Sequence, residues 1–410
     1  MKLSDYVELN PRVPLVKGET VPFVPMDAVT PGNRWVHPEE KRPAVGSGSK
    51  FAPGDTLFAR ITPCLENGKI SQYAGDCPGM GSTEFFVLRA REGVSDPAFV
   101  YYFSQARELR AAAEKSMSGA TGRQRADISS LIEFVCEFPS LLVQQRIAAI
   151  LSAYDELMEN SQRRIRILEA MARALYREWF VHFGFPGHEK HPRVASPLGD
   201  IPQGWEVKTV PECVDISPRV AVPRDGEKPF VPMGCLSNDS MLITDIESRA
   251  GNSGAKFQNG DTLFARITPC LENGKTGFVQ FLPDAQAVGF GSTEFIVLRS
   301  RTLNPEFVYL LARSDEFRGV AIKSMSGATG RQRVQEQCFD DLQIVQPPRA
   351  LLDRFSAIVA PSFRLIYKLH LQIQNLRRTR DLLLPRLLSG QATHPHPASP
   401  SGRGGELEST

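Results

Sequence analysis

The sequence lacks the features of a membrane, disulfide-stapled or metal-templated protein. No apolar run reaches the ~18 residues that cross a bilayer. The opening Met1-Lys2-Leu3-Ser4-Asp5 carries no signal-peptide core, so a cytoplasmic location is expected. The seven cysteines (Cys64, Cys77, Cys136, Cys213, Cys235, Cys270 and Cys338) contain no Cys-x-x-Cys pair. An odd, scattered set argues against a disulfide framework and against a zinc site. His188 and His191 lie three apart in a Pro/Gly-rich stretch with no ligand partner of useful spacing, so no metal is expected. Charge of one sign is also scarce: 48 Lys and Arg against 46 Asp and Glu leave +2. That excludes a uniformly basic nucleic-acid binder and confines any such contact to local patches.

Catalytic signatures are missing as well. No Gly-x-Gly-x-x-Gly loop and no P-loop lysine motif occurs, which argues against a nucleotide or dinucleotide site. Thr62-Pro63-Cys64 resembles a Pro-Cys nucleophile pair, but without a cofactor loop Cys64 and Cys270 read as packing beside a turn. The only Pro-Pro, Pro347-Pro348, is flanked by Gln346 and Arg349, not by the residues of an amino-methylating motif. Asp55, Glu66 and Lys69 have the wrong spacing for a metal-dependent nuclease. No catalytic residue is expected.

What is present is repetition. Gly54–Lys69, GDTLFARITPCLENGK, recurs without a change as Gly260–Lys275. Gly81–Phe85 returns as Gly291–Phe295, Val87-Leu88-Arg89 as Val297-Leu298-Arg299, and KSMSGATGRQR at Lys115–Arg125 as Lys323–Arg333. The offsets of 206, 210 and 208 residues are too long for a solenoid and indicate a duplicated domain. With 41% hydrophobic residues in 410, two to three domains of ~150 residues can each bury a core.

Within each copy, strand-like runs such as Thr56–Ile61 and Glu84–Leu88 precede a helix-like stretch, Pro97–Ala113 or Pro305–Ala321. Beyond Pro139 and Pro347 the period lengthens to three-and-a-half. One seam runs Ile147, Leu151, Tyr154, Met158, Ser161, Ile165, Leu168, Ala172, Leu175, Trp179. The other runs Phe355, Val359, Ser362, Ile366, Leu369, Ile373, Leu376, Arg380, Leu383, Leu387. Each predicts a helix of ~40 residues, ~60 Å long at ~1.5 Å per residue, with Pro361 kinking the second near its start. The expected division is 1–138 and 205–346 as similar globular domains, 139–183 and 347–390 as long helices, 184–204 as a linker and 391–410 as a disordered tail.

Three loops in each copy carry the inventory for phosphates and base edges. The candidate DNA-binding residues are Arg60, Thr62, Lys69, Thr83, Lys115, Ser118, Thr121, Arg123 and Arg125. Their counterparts are Arg266, Thr268, Lys275, Thr293, Lys323, Ser326, Thr329, Arg331 and Arg333. For Glu84, a strand-end carboxylate pairing an arginine is at least as good a reading as a base contact.

TPCLENGK at Thr62–Lys69, GSTEF at Gly81–Phe85, TGRQR at Thr121–Arg125, their second copies, the helix entries 139–150 and 347–358, and Leu198–Trp205 together resemble the specificity subunits of type I restriction–modification systems. The resemblance covers Met1 to about Ser389. It implies an α+β fold: two similar mixed α/β target-recognition domains, separated by two long antiparallel coiled-coil helices, with an internal pseudo-twofold repeat. It further implies a bipartite double-stranded DNA site and two methylation subunits docked around the helices; the identical blocks of the two copies add the expectation of related half-sites. Restriction (motor–nuclease) subunits join where the system also cuts. Helix positions assigned to partners are Ile147, Leu151, Leu168, Leu175, Trp179, Phe355, Ile366, Leu369, Ile373 and Leu376. S-adenosylmethionine would belong to the methylation subunit, and ATP and Mg to the restriction subunit; none is expected in this chain. A free-standing DNA-binding regulator and a coiled-coil scaffold without DNA function are the alternatives.

Overall fold

The structure, a computed structural model, describes residues 1–389 except Thr121 and Thr329. The tail 391–410, read above as disordered, lies outside the described residues. The chain divides into two compact units: Met1–Glu159 with the chain from Ile373 onward, and Asn160–Gln372.

The first unit holds a five-stranded sheet in the order Val7–Leu9, Phe85–Ala90, Thr56–Ala59, Ile70–Tyr73, Trp35–Val36. All neighbours are antiparallel except the last pair. A four-stranded sheet follows the order Glu40–Pro43, Thr20–Val24, Gly79–Gly81, Ser49–Phe51. Strands Thr56–Ala59 and Ile70–Tyr73 are buried at every position, so their sequences show no clean alternation. Phe58, Phe86, Phe99, Leu109, Leu131 and Leu151 form the main core. Burying each such side chain contributes roughly 1.5–3 kcal/mol.

The stretch Pro97–Ala113 is two helices, Pro97–Ser104 and Arg107–Lys115, where the sequence predicts one. Asp96 starts the first by accepting from the Phe99 amide at 2.9 Å, with Pro97 in the opening turn. That helix buries Phe99, Val100, Tyr101 and Tyr102, whereas the next buries only Leu109 and Ala113. The break at Gln105-Ala106 lets a largely buried helix give way to a surface one. The second copy splits likewise into Pro305–Ala312 and Asp315–Lys323.

The second unit repeats the plan. One four-stranded sheet has the order Val214–Ile216, Phe295–Ser300, Thr262–Ala265, Thr276–Phe278; the other has Glu247–Ala250, Glu227–Val231, Gly289–Gly291, Ala255–Phe257. Glu206–Thr209 pairs antiparallel with Gln343–Gln346. The segment 184–204, read as a plain linker, contains a hairpin of Arg193–Ser196 and Gly199–Pro202.

Part of the letter-perfect repetition is framework. In GDT and VLR, Arg89 clasps buried Asp55 through two hydrogen bonds of 2.8 and 2.7 Å, and Arg299 clasps Asp261 at 2.7 and 2.6 Å. Removing one partner of such a clasp would strand a buried carboxylate.

The long helices are Leu141–Tyr176, 36 residues followed by a π-turn to Val181, and Arg349–Leu388, 40 residues. Within the first unit the start of the former packs on the end of the latter, Ile147 and Leu151 sharing a core with Leu387. Within the second, the end of the former meets the start of the latter, with Trp179 and Phe180 ring centroids 5.9 and 4.9 Å from Phe355. In each unit the helices therefore run in opposite directions. The second seam is buried largely as spaced, with Phe363 buried in place of Ser362. In the first seam Tyr154, Leu168 and Leu175 are only half-buried; their neighbours Asp155, Glu169 and Tyr176 are buried instead. A straight helix drifts ~20° per heptad from a strict seven-residue repeat, which brings the neighbouring positions inward. Pro361 does not end the second helix, and its ring faces solvent.

Candidate nucleic-acid interface

Each unit ties its three candidate loops into one cluster. In the first, Ile61 and Ser118 both form bridges to Arg125. The Thr62 amide donates to the Gln124 carbonyl at 3.0 Å, and the Arg60 amide donates to the Glu84 carbonyl at 2.9 Å. Glu84 then receives Arg125 in a fork of 2.7–3.0 Å. The second unit builds the same object from Ile267, Ser326, Thr268, Gln332, Glu294 and Arg333, with the Arg333–Glu294 fork at 2.6–3.0 Å. Gly119 and Gly122, at φ 120° and 82°, let the chain fold back between Ser118 and Arg125; Gly327 and Gly330, at 123° and 81°, do so in the second copy.

The charged residues in this cluster divide by partner. Hydrogen bonding to Glu84 raises the Arg125 pKa above its ordinary value, and Glu294 does the same to Arg333. The Arg333 guanidinium in turn lowers the Glu294 carboxyl below the usual carboxylate value. Glu84 thus follows the structural reading, pairing an arginine. Lys69 and Lys275, expected to face DNA, instead donate to the main-chain carbonyls of Met26 and Met233 at 2.9 and 3.1 Å. Arg266 is held by Glu336 and the Val334 carbonyl, both at 2.8 Å. Arg60 lies over the Phe86 ring, 3.7 Å from Glu84. Thr62 and Thr268 bond to the backbone of the neighbouring loop. These side chains shape the cluster.

Thr83, Lys115, Ser118 and Arg123, with Thr293, Lys323, Ser326 and Arg331, are exposed. Arg123 and Arg331 enter no ion pair among the described residues. Thr121 and Thr329 lie outside the described residues.

The loop 62–68 and its counterpart expose Glu66-Asn67 and Glu272-Asn273 at their tips. Arg110 and Arg318, which no sequence motif singles out, hold these loops. Each donates to two loop carbonyls, at 3.3 and 3.0 Å for Leu65 and Glu66 and at 3.1 Å for both Leu271 and Glu272. Their 208-residue offset was the available signal.

The helix residues assigned to partners are placed differently from that expectation. Ile147, Leu151, Trp179, Phe355, Ile366, Leu369 and Ile373 are buried inside the chain, and Leu168, Leu175 and Leu376 are half-buried. The exposed large apolar side chains of these helices include Leu142, Ile150, Leu157, Ile167, Met171, Ile358, Leu371 and Leu382. The buried seam residues pack the chain on itself, and this outer set is the apolar surface the helices present.

No family profile matches the chain. It is 27% identical over 291 residues to the type I restriction enzyme MjaIX specificity subunit of Methanocaldococcus jannaschii, covering 68% of this chain and 65% of that protein. It is 33% identical over 156 residues to the EcoEI specificity subunit of Escherichia coli, covering 36% of this chain and 26% of that protein. These matches therefore span less than two thirds of the relatives' lengths. The crystal structure of the type I restriction–modification system S subunit from M. genitalium superposes with a TM-score of 0.53 at 15% identity, over 94% of this chain and 95% of that one, which shows the shared fold. In sequence the chain is similar to type I restriction enzyme specificity subunits, and it shares the fold of one.

Proposed function

We propose that this chain is the non-catalytic, sequence-specific DNA-recognition subunit of a type I methyltransferase/restriction complex, directing it to a bipartite site with related half-sites. The observation that carries the reading is the loop cluster built twice. Each unit presents the same exposed cation and hydroxyls, Arg123, Thr83 and Ser118 or Arg331, Thr293 and Ser326, on a frame locked by an Arg–Glu fork. Equivalent readers in two similar domains suit an interrupted near-palindrome, because each meets one half-site.

Guanidinium, ammonium and hydroxyl donors contact phosphates and base edges, and a prearranged frame lowers the ordering entropy lost on binding. The chain supplies the address and its partners supply the chemistry: S-adenosylmethionine bound by two methylation subunits, ATP and Mg by a restriction subunit where one is present. The outward apolar row on the long helices supports a docking role for them. The setting would be the cytoplasm.

The test is co-purification followed by DNA binding. The chain should purify with a methylation subunit, and the complex should bind duplex with a steep salt dependence. Tight specific binding by the chain alone would favour the free-standing regulator. A complex that binds no duplex would favour the scaffold.

A further inference from the structure

Each unit also carries an open cleft lined mainly by residues outside the loop cluster. In the first, Pro11-Arg12-Val13 and Gly48-Ser49-Lys50 face each other across an open cleft floored by Val87. In the second, Pro218-Arg219-Val220 and Gly254-Ala255-Lys256 do the same over Val297, and that cleft reaches Thr293 beside the loop cluster. The two clefts are built alike. Asn10 and Ser217, non-glycine residues at φ 49° and 47°, turn the chain into the cleft immediately before the Pro-Arg pair. Each donates its amide to the floor residue's carbonyl at 2.7 Å. Left-handed backbone at a non-glycine residue carries a cost, and here it recurs at the same position in both copies. Gly48 and Gly254 complete the wall, since a methyl at either would overlap the carbonyl oxygen of Gly81 or Gly291.

The Ser-Gly-x-Lys-Phe sequence at 47–51 and 253–257 persists inside segments that otherwise diverge between the copies. Arg12, Lys50 and Arg219 are exposed and Lys256 is half-buried. None of the four makes an ion pair among the described residues, whereas nearby Arg42 and Arg249 are neutralised by Glu40 and Glu247.

We propose that Arg12 with Lys50, and Arg219 with Lys256, form a phosphodiester-binding cleft in each domain that grips the DNA backbone beside the base-reading loops. This rests on the DNA-recognition reading above. Two unpaired cations lining an open cleft concentrate positive potential in a groove. Their retention amid divergence fits a ligand that is the same at both half-sites, as the DNA backbone is whatever the base sequence.

The experiment measures affinity for a labelled duplex carrying the methylated site, from about 50 to 200 mM salt, using the full chain in its methyltransferase complex. Arg12→Gln/Lys50→Gln, and separately Arg219→Gln/Lys256→Gln, should each flatten the log–log slope by about 1.8, two phosphates at ~0.9 each. The charge-keeping Arg12→Lys/Lys50→Arg should leave it unchanged, and matched thermal melts exclude misfolding. An unchanged slope in both Gln variants, with wild-type binding intact, overturns the cleft proposal alone. Absence of duplex binding by the wild-type complex overturns the functional reading with it. Calorimetric titration with inorganic phosphate gives the last arm: saturable binding lost in the Gln variants while the DNA slope stays put would assign the cleft to a free anion and overturn the proposal.

Discussion

Replacing Arg380 should be among the most damaging single changes in the first unit. Arg380 and Asp155 pair with side chains 7% and 3% exposed, one from each long helix. Tyr102 donates its hydroxyl to Asp155 at 2.5 Å, and Arg380 also donates to the Gly32 carbonyl at 2.9 Å. Arg34 extends the network, donating to Ser152 at 2.5 Å and to Gln72 at 2.9 Å. Burial and the adjoining carboxylate raise the Tyr102 pKa, so it stays a donor throughout the working range.

Arg380→Met leaves Asp155 charged, buried and short of its cation, which costs about 3–5 kcal/mol, two to nearly four powers of ten in the folding equilibrium. Asp155→Leu should cost a similar amount by stranding Arg380. The pair Asp155→Leu/Arg380→Met should recover to near wild type or above it, because a packed apolar pair removes both desolvation penalties. The chain already contains that solution. At the 208-residue offset the second unit has Phe363 and Ala172, both buried, with Phe363 packed edge-on against Phe278 and Tyr309 at 5.1 and 5.6 Å. Urea unfolding followed by far-UV circular dichroism measures all four proteins. Single variants that lose less than about 1 kcal/mol, or a double variant that loses the sum of the singles, would refute the coupling.

Other expectations follow from the same geometry. Arg123→Ala or Arg331→Ala should flatten the salt slope of duplex binding by ~0.9, whereas Arg125→Ala, which removes a charge already met by Glu84, should change the slope far less; fluorescence anisotropy against salt separates them. Burial raises the Glu169 pKa above its ordinary value, opposed by hydrogen bonds from Met241 and Ser240. The folded state then holds this proton more tightly than the unfolded one, so Glu169 favours folding most at acid pH, and that contribution fades as pH rises from about 4.5 through the folded value. Urea midpoints against pH should show a flatter profile for Glu169→Gln. Gly254→Ala should lose about 1–3 kcal/mol, since φ is 109° and the Gly291 carbonyl occupies the methyl's place; thermal melts check it.

The duplication was legible because whole blocks repeat letter for letter, and the long helices because a period of three-and-a-half survives over many turns. Their inward positions were only partly legible. Asp155 and Glu169 look like surface residues in a sequence, and nothing there announces Arg380 or the Met241 amide waiting across the helix. The loops posed the reverse difficulty. Lys69, Lys275 and Arg266 have the chemistry of phosphate ligands, but their partners are largely main-chain carbonyls, which no residue letter encodes. The clefts escaped because Arg12 and Lys50 come together only once Ser49–Phe51 pairs with Gly79–Gly81. Identity between copies also conceals roles: the Asp55–Arg89 clasp and the Arg123 tip repeat equally well, one holding the sheet and the other facing solvent.

If this chain addresses a methyltransferase complex to a bipartite site, its loss must erase a methylation pattern. Methylation-aware sequencing of the host genome, with the gene intact and deleted, reads this out. One interrupted motif with related half-sites and methylated adenine in both should appear, and should be lost on deletion. Two unrelated half-sequences would contradict the symmetric reading; a methylome unchanged by deletion would contradict the claim itself.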